Sequence, residues 1–207
     1  MTTQPLGLPA DRRAQQGGLL FLGSLLVFFL ASIVLYLLYA YWRRDDLTNP
    51  PRLPFSFVLS TGCLLLISPL MHLATNAAAR EYRRRMVGYL LVSLLIAIGF
   101  MGVQVGALDE IMRIPALTIT PEKGVMGMVI VLAVLHGLHV AGGVIALGLV
   151  TYGALRGRYD HERYWAVRFS ATYWHFLDIV WICMLTAFWM TSGGFQLPSN
   201  LHWSMPF

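Results

Sequence analysis

The chain has 207 residues, of which 57% are hydrophobic and 12% charged, with a formal net charge of +5 and a mean hydropathy of +0.63. Those values lie outside the range of soluble globular domains and identify an integral membrane protein. The positive charge calls for no nucleic acid, because arginines beside a membrane that face anionic lipid account for it.

Five stretches lack Asp, Glu, Lys and Arg for longer than the roughly 20 residues a spanning helix needs, the last with one exception. The first runs over Ala14–Trp42, after a polar segment without a small-residue cleavage site, and stops at Tyr39-Ala40-Tyr41-Trp42-Arg43-Arg44. It reads as an anchor and not as a removed signal peptide. The second, 53–79, follows Pro50, Pro51 and Pro54 and contains Pro69, which is expected to kink it and to free a carbonyl near Leu65. A basic turn from Arg80 to Arg85 leads to the third, 86–108. The longest connection, 109–123, holds Pro115 and Pro121, and the fourth run follows it over Gly124–Leu155. The fifth begins at Phe169 and includes Asp178; beyond it, 193–207 reads as a short interfacial tail. None of the runs alternates strictly, so a barrel of tilted strands of about 10 residues is excluded. The expected fold is all-α, one domain of 1–207, an integral membrane bundle of five helices spanning about 19–42, 54–78, 86–108, 125–152 and 168–191.

Arg12, Arg13, Arg80, Arg83, Arg84, Arg85, Arg156, Arg158, Arg163 and Arg168 fall on one side of the membrane; Arg43, Arg44, Arg52, Arg113 and Lys123 fall on the other. This ten-to-five split places the N-terminus in the cytoplasm and the C-terminus outside. Arg80, Arg83, Arg84 and Arg85 most simply retain their loop in the cytoplasm, and are candidates for contact with lipid headgroups. Cys63 and Cys183 both lie within spans and read as small apolar residues, with no disulfide framework around them.

Two blocks put ionisable groups inside apolar spans, where they are costly. Leu135-His136-Gly137-Leu138-His139-Val140 carries two imidazoles three apart on the fourth helix. Tyr173-Trp174-His175-Phe176-Leu177-Asp178-Ile179-Val180-Trp181 carries an imidazole and a carboxylate three apart on the fifth. His136, His139, His175 and Asp178 could meet between helices, with Gln104 of the third helix as a further member. In a structural reading these side chains satisfy one another and fix the helix register. In a second reading His136 or His139 with His175 ligates a haem or metal, although a second pair at opposite depth is missing. In a third, Asp178 and the imidazoles relay protons, although the first helix offers nothing ionisable to continue the path. His72, past Pro69, reads as a lone polar residue near a helix end. No phosphate loop, nucleophile elbow or zinc motif is found, and no residue is assigned as catalytic, cofactor-binding or metal-ligating.

The two blocks resemble subunit III of the haem-copper respiratory oxidases, in its short five-span bacterial form. The fifth helix matches the family's Tyr-Trp-His-Phe-x-Asp-x-x-Trp signature at Tyr173, Trp174, His175, Phe176, Asp178 and Trp181; the fourth matches His-Gly-x-His-Val at His136, Gly137, His139 and Val140. Gly99, Phe100 and Gln104 resemble the family's third-helix pattern more loosely, and Leu20-Phe21-Leu22-Gly23-Ser24-Leu25 resembles its first-helix segment. The departures all remove acid: Leu25, Arg168 and Ala107 stand where the family carries acidic residues. The resemblance implies an accessory, metal-free subunit that packs on catalytic subunit I, alongside subunit II, in the inner (plasma) membrane of a bacterium. It further implies that the chain holds phospholipids in a cleft between helices one and two and helices three to five, and supports proton uptake during reduction of dioxygen to water. Haem and copper are expected in the partner subunits. The alternatives are a similar accessory protein of a nitric oxide reductase and a small proton-coupled transporter using Asp178.

Overall fold

The structure is a computed structural model that describes residues 9–43, 53–54, 56–112, 121–159, 164–192 and 195–196. Its order is α1 (Pro9–Trp42), β1 (Leu53–Pro54), α2 (Ser56–Ala79), α3 (Arg83–Met112), α4 (Pro121–Leu155), α5 (Trp165–Thr191) and β2 (Phe195–Gln196). Among the described residues five helices are long and apolar enough to cross a membrane, so the all-helical five-span fold expected from the sequence is the one observed. Helices also run beyond the apolar stretches, because helix formation needs internal hydrogen bonds and not hydropathy. α1 starts at Pro9, α3 continues to Met112, and Pro121 opens α4, the first-turn position where a missing N–H costs nothing. The connection expected over 109–123 is thereby shortened. α2 remains one helix through Pro69.

α5 is the centre of the bundle. Its buried residues include Val167, Ser170, Ala171, Trp174, Leu177, Asp178, Trp181, Met184 and Phe188, which recur at three- and four-residue intervals and bury one broad face. α2, α4 and α1 all pack against it, and α2 and α3 form the tightest pair. α1 packs against α5 and α4 and not chiefly against α2, which differs from a division that groups helices one and two. Small residues allow these approaches: a Cβ on Gly18 would lie 2.5 Å from the Phe169 ring, and one on Gly143 would lie 3.0 Å from that of Tyr173. Close backbone approach of this kind is how helices associate in lipid.

The turn after α2 and the turn after α4 have one design. Tyr82 N–H bonds the Ala77 carbonyl at 2.9 Å and Glu81 N–H that of Ala78 at 3.2 Å; Arg158 N–H bonds Gly153 at 3.0 Å and Gly157 N–H bonds Ala154 at 3.1 Å. Each is a Schellman closure, whose hinge residue takes the left-handed region: Gly157 at φ 72° and Glu81 at φ 60°. Arg83 joins the two turns, donating from Nη2 to the Leu155 carbonyl at 2.8 Å. This end of the bundle, with Arg80, Arg83, Arg84, Arg85, Arg156 and Arg158 all exposed, is called the arginine end below. At the opposite end β1 pairs with β2 in parallel, Leu53 beside Phe195 and Pro54 beside Gln196. The remainder of the tail over 193–207 lies outside the described residues.

Candidate functional site

The buried polar residues are organised around Trp181. Its Nε1 donates to Thr61 Oγ1 of α2 at 2.9 Å. Phe57 and Phe100 meet its ring edge-on, at 5.6 Å and 6.2 Å between centroids. His136 of α4 stacks on its face at 5.3 Å and 29°. One indole thus binds α5 to α2, α3 and α4.

His136 is 0% exposed, and neither ring nitrogen has a hydrogen-bond partner among the described residues. Phe29 of α1 meets it edge-on at 6.0 Å. His139, one turn on, bonds through Nδ1 to the Leu135 carbonyl at 2.7 Å, so Nδ1 is its donor nitrogen. Its ring lies 5.1 Å from that of Phe29, and its own carbonyl accepts from Tyr173 Oη at 2.9 Å. The two histidines of α4 are therefore enclosed by aromatic rings from α1 and α5.

His175 and Asp178 turn elsewhere, toward α2. His175 Nδ1 pairs with Ser68 Oγ, and His72 lies one turn along α2 from Ser68. Asp178 is 5% exposed, and neither carboxyl oxygen has a hydrogen-bond partner among the described residues. The Ser68 hydroxyl stands beside that carboxyl without bonding geometry to it. Gln104 is 5% exposed, with both amide atoms unpartnered.

The residues expected to form a single hydrogen-bonded cluster therefore occupy three places. No hydrogen bond joins His136, His139, His175, Asp178 and Gln104 to one another among the described residues. The i, i+3 spacing put each pair on one face of its helix, but it did not say that the α5 pair faces α2 while the α4 pair faces α1 and Trp181. Ser68, Thr61 and the Tyr36 hydroxyl, which pairs with Thr191, belong to the polar interior as well, as do the buried Ser60, Ser93, Thr151 and Ser170. Hydroxyls inside an apolar run carry little signal, which hides these residues in the sequence. The legible sign was the four-residue spacing of Ser68, His72, Asn76 and Arg80 on α2.

At the arginine end a groove of about 320 Å³ opens between α1, α4 and α5, lined by Phe21, Ala146, Val150, Trp165, Phe169 and Tyr173. Arg168 is exposed on the first turn of α5. In the neighbouring turn burial pushes the Tyr159 phenol above its ordinary pKa, against the opposing pull of Arg158. Leu25, at the first position where an acid is missing, is buried in the core. The side chain of Ala107 lies outside the described ones. Among the described residues no three His, Cys, Asp or Glu side chains are grouped as a metal site.

A bundle of five helices, each long and apolar enough to cross a membrane, defines a multi-pass membrane protein. The chain matches cytochrome c oxidase subunit III over residues 16–192, and it belongs to that family. It is 25% identical over 197 residues to cytochrome c oxidase subunit 3 of Pan troglodytes, covering 89% of this chain and 72% of that protein. It is 26% identical over 139 residues to cytochrome bo(3) ubiquinol oxidase subunit 3 of Pseudomonas aeruginosa, covering 67% of this chain and 65% of that protein. The chain is thus a multi-pass membrane protein of the haem-copper oxidase subunit III family.

Proposed function

We propose that this chain is the accessory, metal-free subunit III of a haem-copper terminal oxidase in a bacterial inner membrane. It packs as one domain on catalytic subunit I, in a complex that includes subunit II, holds phospholipid and supports proton uptake while the complex reduces dioxygen to water. Haem and copper reside in the partner subunits. The ten-to-five split of basic residues supports an N-terminus in the cytoplasm and a C-terminus outside.

The observation that carries the lipid part is the groove at the arginine end. Its walls are mainly apolar side chains of α1, α4 and α5, with Trp165 among them, and exposed arginines crowd the same end of the bundle. An acyl chain fits such a wall, an indole suits the membrane interface, and a guanidinium suits a phosphate. Arg80, Arg83, Arg84 and Arg85 extend the basic surface on the same end. Of the buried polar residues, His136 stacked on Trp181, His139 accepting from Tyr173 through its carbonyl, and His175 paired with Ser68 serve as structural contacts that set helix register.

The test is mild-detergent purification through a tag on this chain, with the co-purifying proteins, pigments and phospholipids identified. Recovery with a haem-bearing large subunit, dioxygen-reducing activity and retained phospholipid is expected. Recovery alone, or with a nitric-oxide-reducing partner, would overturn the assignment. Loss of phospholipid in Phe169→Ala, and not in a variant remote from the groove, would tie the lipid to this groove.

A further inference from the structure

Asp178 differs from every other buried group described above. It is the one acidic residue inside the five apolar runs, it is 5% exposed, and its carboxyl oxygens have no hydrogen-bond partner among the described residues. A carboxylate kept apart from water and from partners is costly, and a proton discharges it. The nearest polar neighbour is the Ser68 hydroxyl, which is already paired with His175 Nδ1. A hydroxyl both donates and accepts, so Ser68 can take a proton from the ring while giving its own to the carboxyl.

The supply side lies on α2. Ser68, His72, Asn76 and Arg80 follow one another at four-residue spacing, so they form one row along the helix. The row leads from the half-buried Ser68 through the exposed His72 and Asn76 to Arg80 at the arginine end. His72 stands one turn from Ser68 on the same face of α2, and Ser68 is the residue paired with His175. Of the other titratable groups on elements packed against α5, His136 is turned to Trp181, His139 to Phe29 and its own helix, and Tyr36 to Thr191. Beyond Asp178 on α5 comes Trp181, whose indole can only donate and is committed to Thr61. The row therefore ends at Asp178.

We propose that Asp178 is a proton-storing site, loaded from the arginine end along the α2 row through His72, His175 and Ser68. In one loading event His72 passes a proton to His175 Nε2, directly or over a single water. His175 releases its Nδ1 proton to Ser68 Oγ, and the Ser68 hydroxyl proton moves to an Asp178 oxygen. One proton enters at His72, one carboxylate is neutralised, and Ser68 and His175 end uncharged. Because the row is open at one end only, the proton returns by the same path. This deepens the proton-uptake part of the proposed function, and rests on that reading only for the identity of the neighbour that draws on the stored proton.

The test is infrared difference spectroscopy of the purified complex containing the full chain, with isotope-labelled aspartate to mark the carboxyl band, during jumps of pH. The expected result is a protonated-carboxyl band that rises and falls reversibly with pH and is absent in Asp178→Asn. His72→Leu, at an exposed position, and Ser68→Ala should each slow the response by about tenfold or more, the scale of losing a positioned proton carrier. Should Asp178→Asn fail to assemble, the isotope shift of the band in the unmodified chain serves instead. A band that does not respond across the pH range of the assembled complex would overturn the proposal, as would an unchanged rate in both relay variants. Neither result depends on which large subunit co-purifies.

Discussion

Thr61 on α2 accepts the indole proton of Trp181 on α5 at 2.9 Å, while the opposite side of the same contact offers Trp181 only the ring face of His136. These two neighbours of the indole differ in kind: one satisfies a donor, and the other has two ring nitrogens without a partner among the described residues.

This difference predicts an inversion of the usual ranking by burial. Thr61→Val keeps the shape but strands the Trp181 N–H, at about 1–3 kcal/mol. His136→Leu, at a fully buried position, loses a stacked ring contact of about 0.5–1.5 kcal/mol but removes two unpartnered polar atoms. It should be the milder change. Unfolding free energies from detergent-to-SDS titration check this, and a larger loss in His136→Leu would contradict it.

The paired turns predict opposite responses to glycine. Glu81 holds the left-handed hinge of the first turn, a region that costs a side-chain-bearing residue about 1–2 kcal/mol, so Glu81→Gly should stabilise the α2–α3 hairpin, less whatever its side chain contributes. Gly157→Ala should destabilise the α4–α5 turn by a similar amount. Rates of proteolytic nicking at each turn should fall in the first variant and rise in the second.

Overfilling the interhelical approaches should separate helices without disturbing their formation. A Cβ on Gly143 already reaches the rings of Tyr173 and Trp174 and the Leu177 side chain, so Gly143→Leu forces α4 from α5 at about 1–3 kcal/mol. Helical circular dichroism should be retained while recovery with the large subunit falls. The optical spectrum of whatever complex assembles should be unchanged. An altered haem spectrum would place this helix contact at a pigment site.

Orientation is checked by reporters. A fusion after Phe207 should be active only in an assay specific for the outer side, and an insertion near Gly157 only in one specific for the cytoplasm. The reversed pattern would overturn the orientation drawn from the basic residues.

The fold was legible because its signal is redundant: each span offers more than 20 apolar residues to be counted, and one histidine or proline does not hide it. The site was legible only to the level of the helix face. His175 and Asp178 share a face by spacing, yet whether that face meets α2 or α4 depends on the rotation of α5, which the small residues and Trp181 settle through packing. Ser68 escaped notice for the same reason, since a hydroxyl counts as nearly apolar in a hydropathy run. The helix ends at Pro9, Met112 and Pro121 depended on hydrogen bonding in polar sequence, which hydropathy does not register.

α1 packs mainly on the last two helices, and β1 waits for a strand partner that follows α5. During synthesis from the N-terminus, the first helix therefore resides in the bilayer with its main neighbours still unmade. Closure comes only when α5 arrives, bringing the Trp181 contacts and the strand pairing in one event. A chain interrupted anywhere before Trp165 keeps the α2–α3 pair but leaves α1 without its main neighbour and β1 without its partner, so the integrity of the whole polypeptide is read out by its final span.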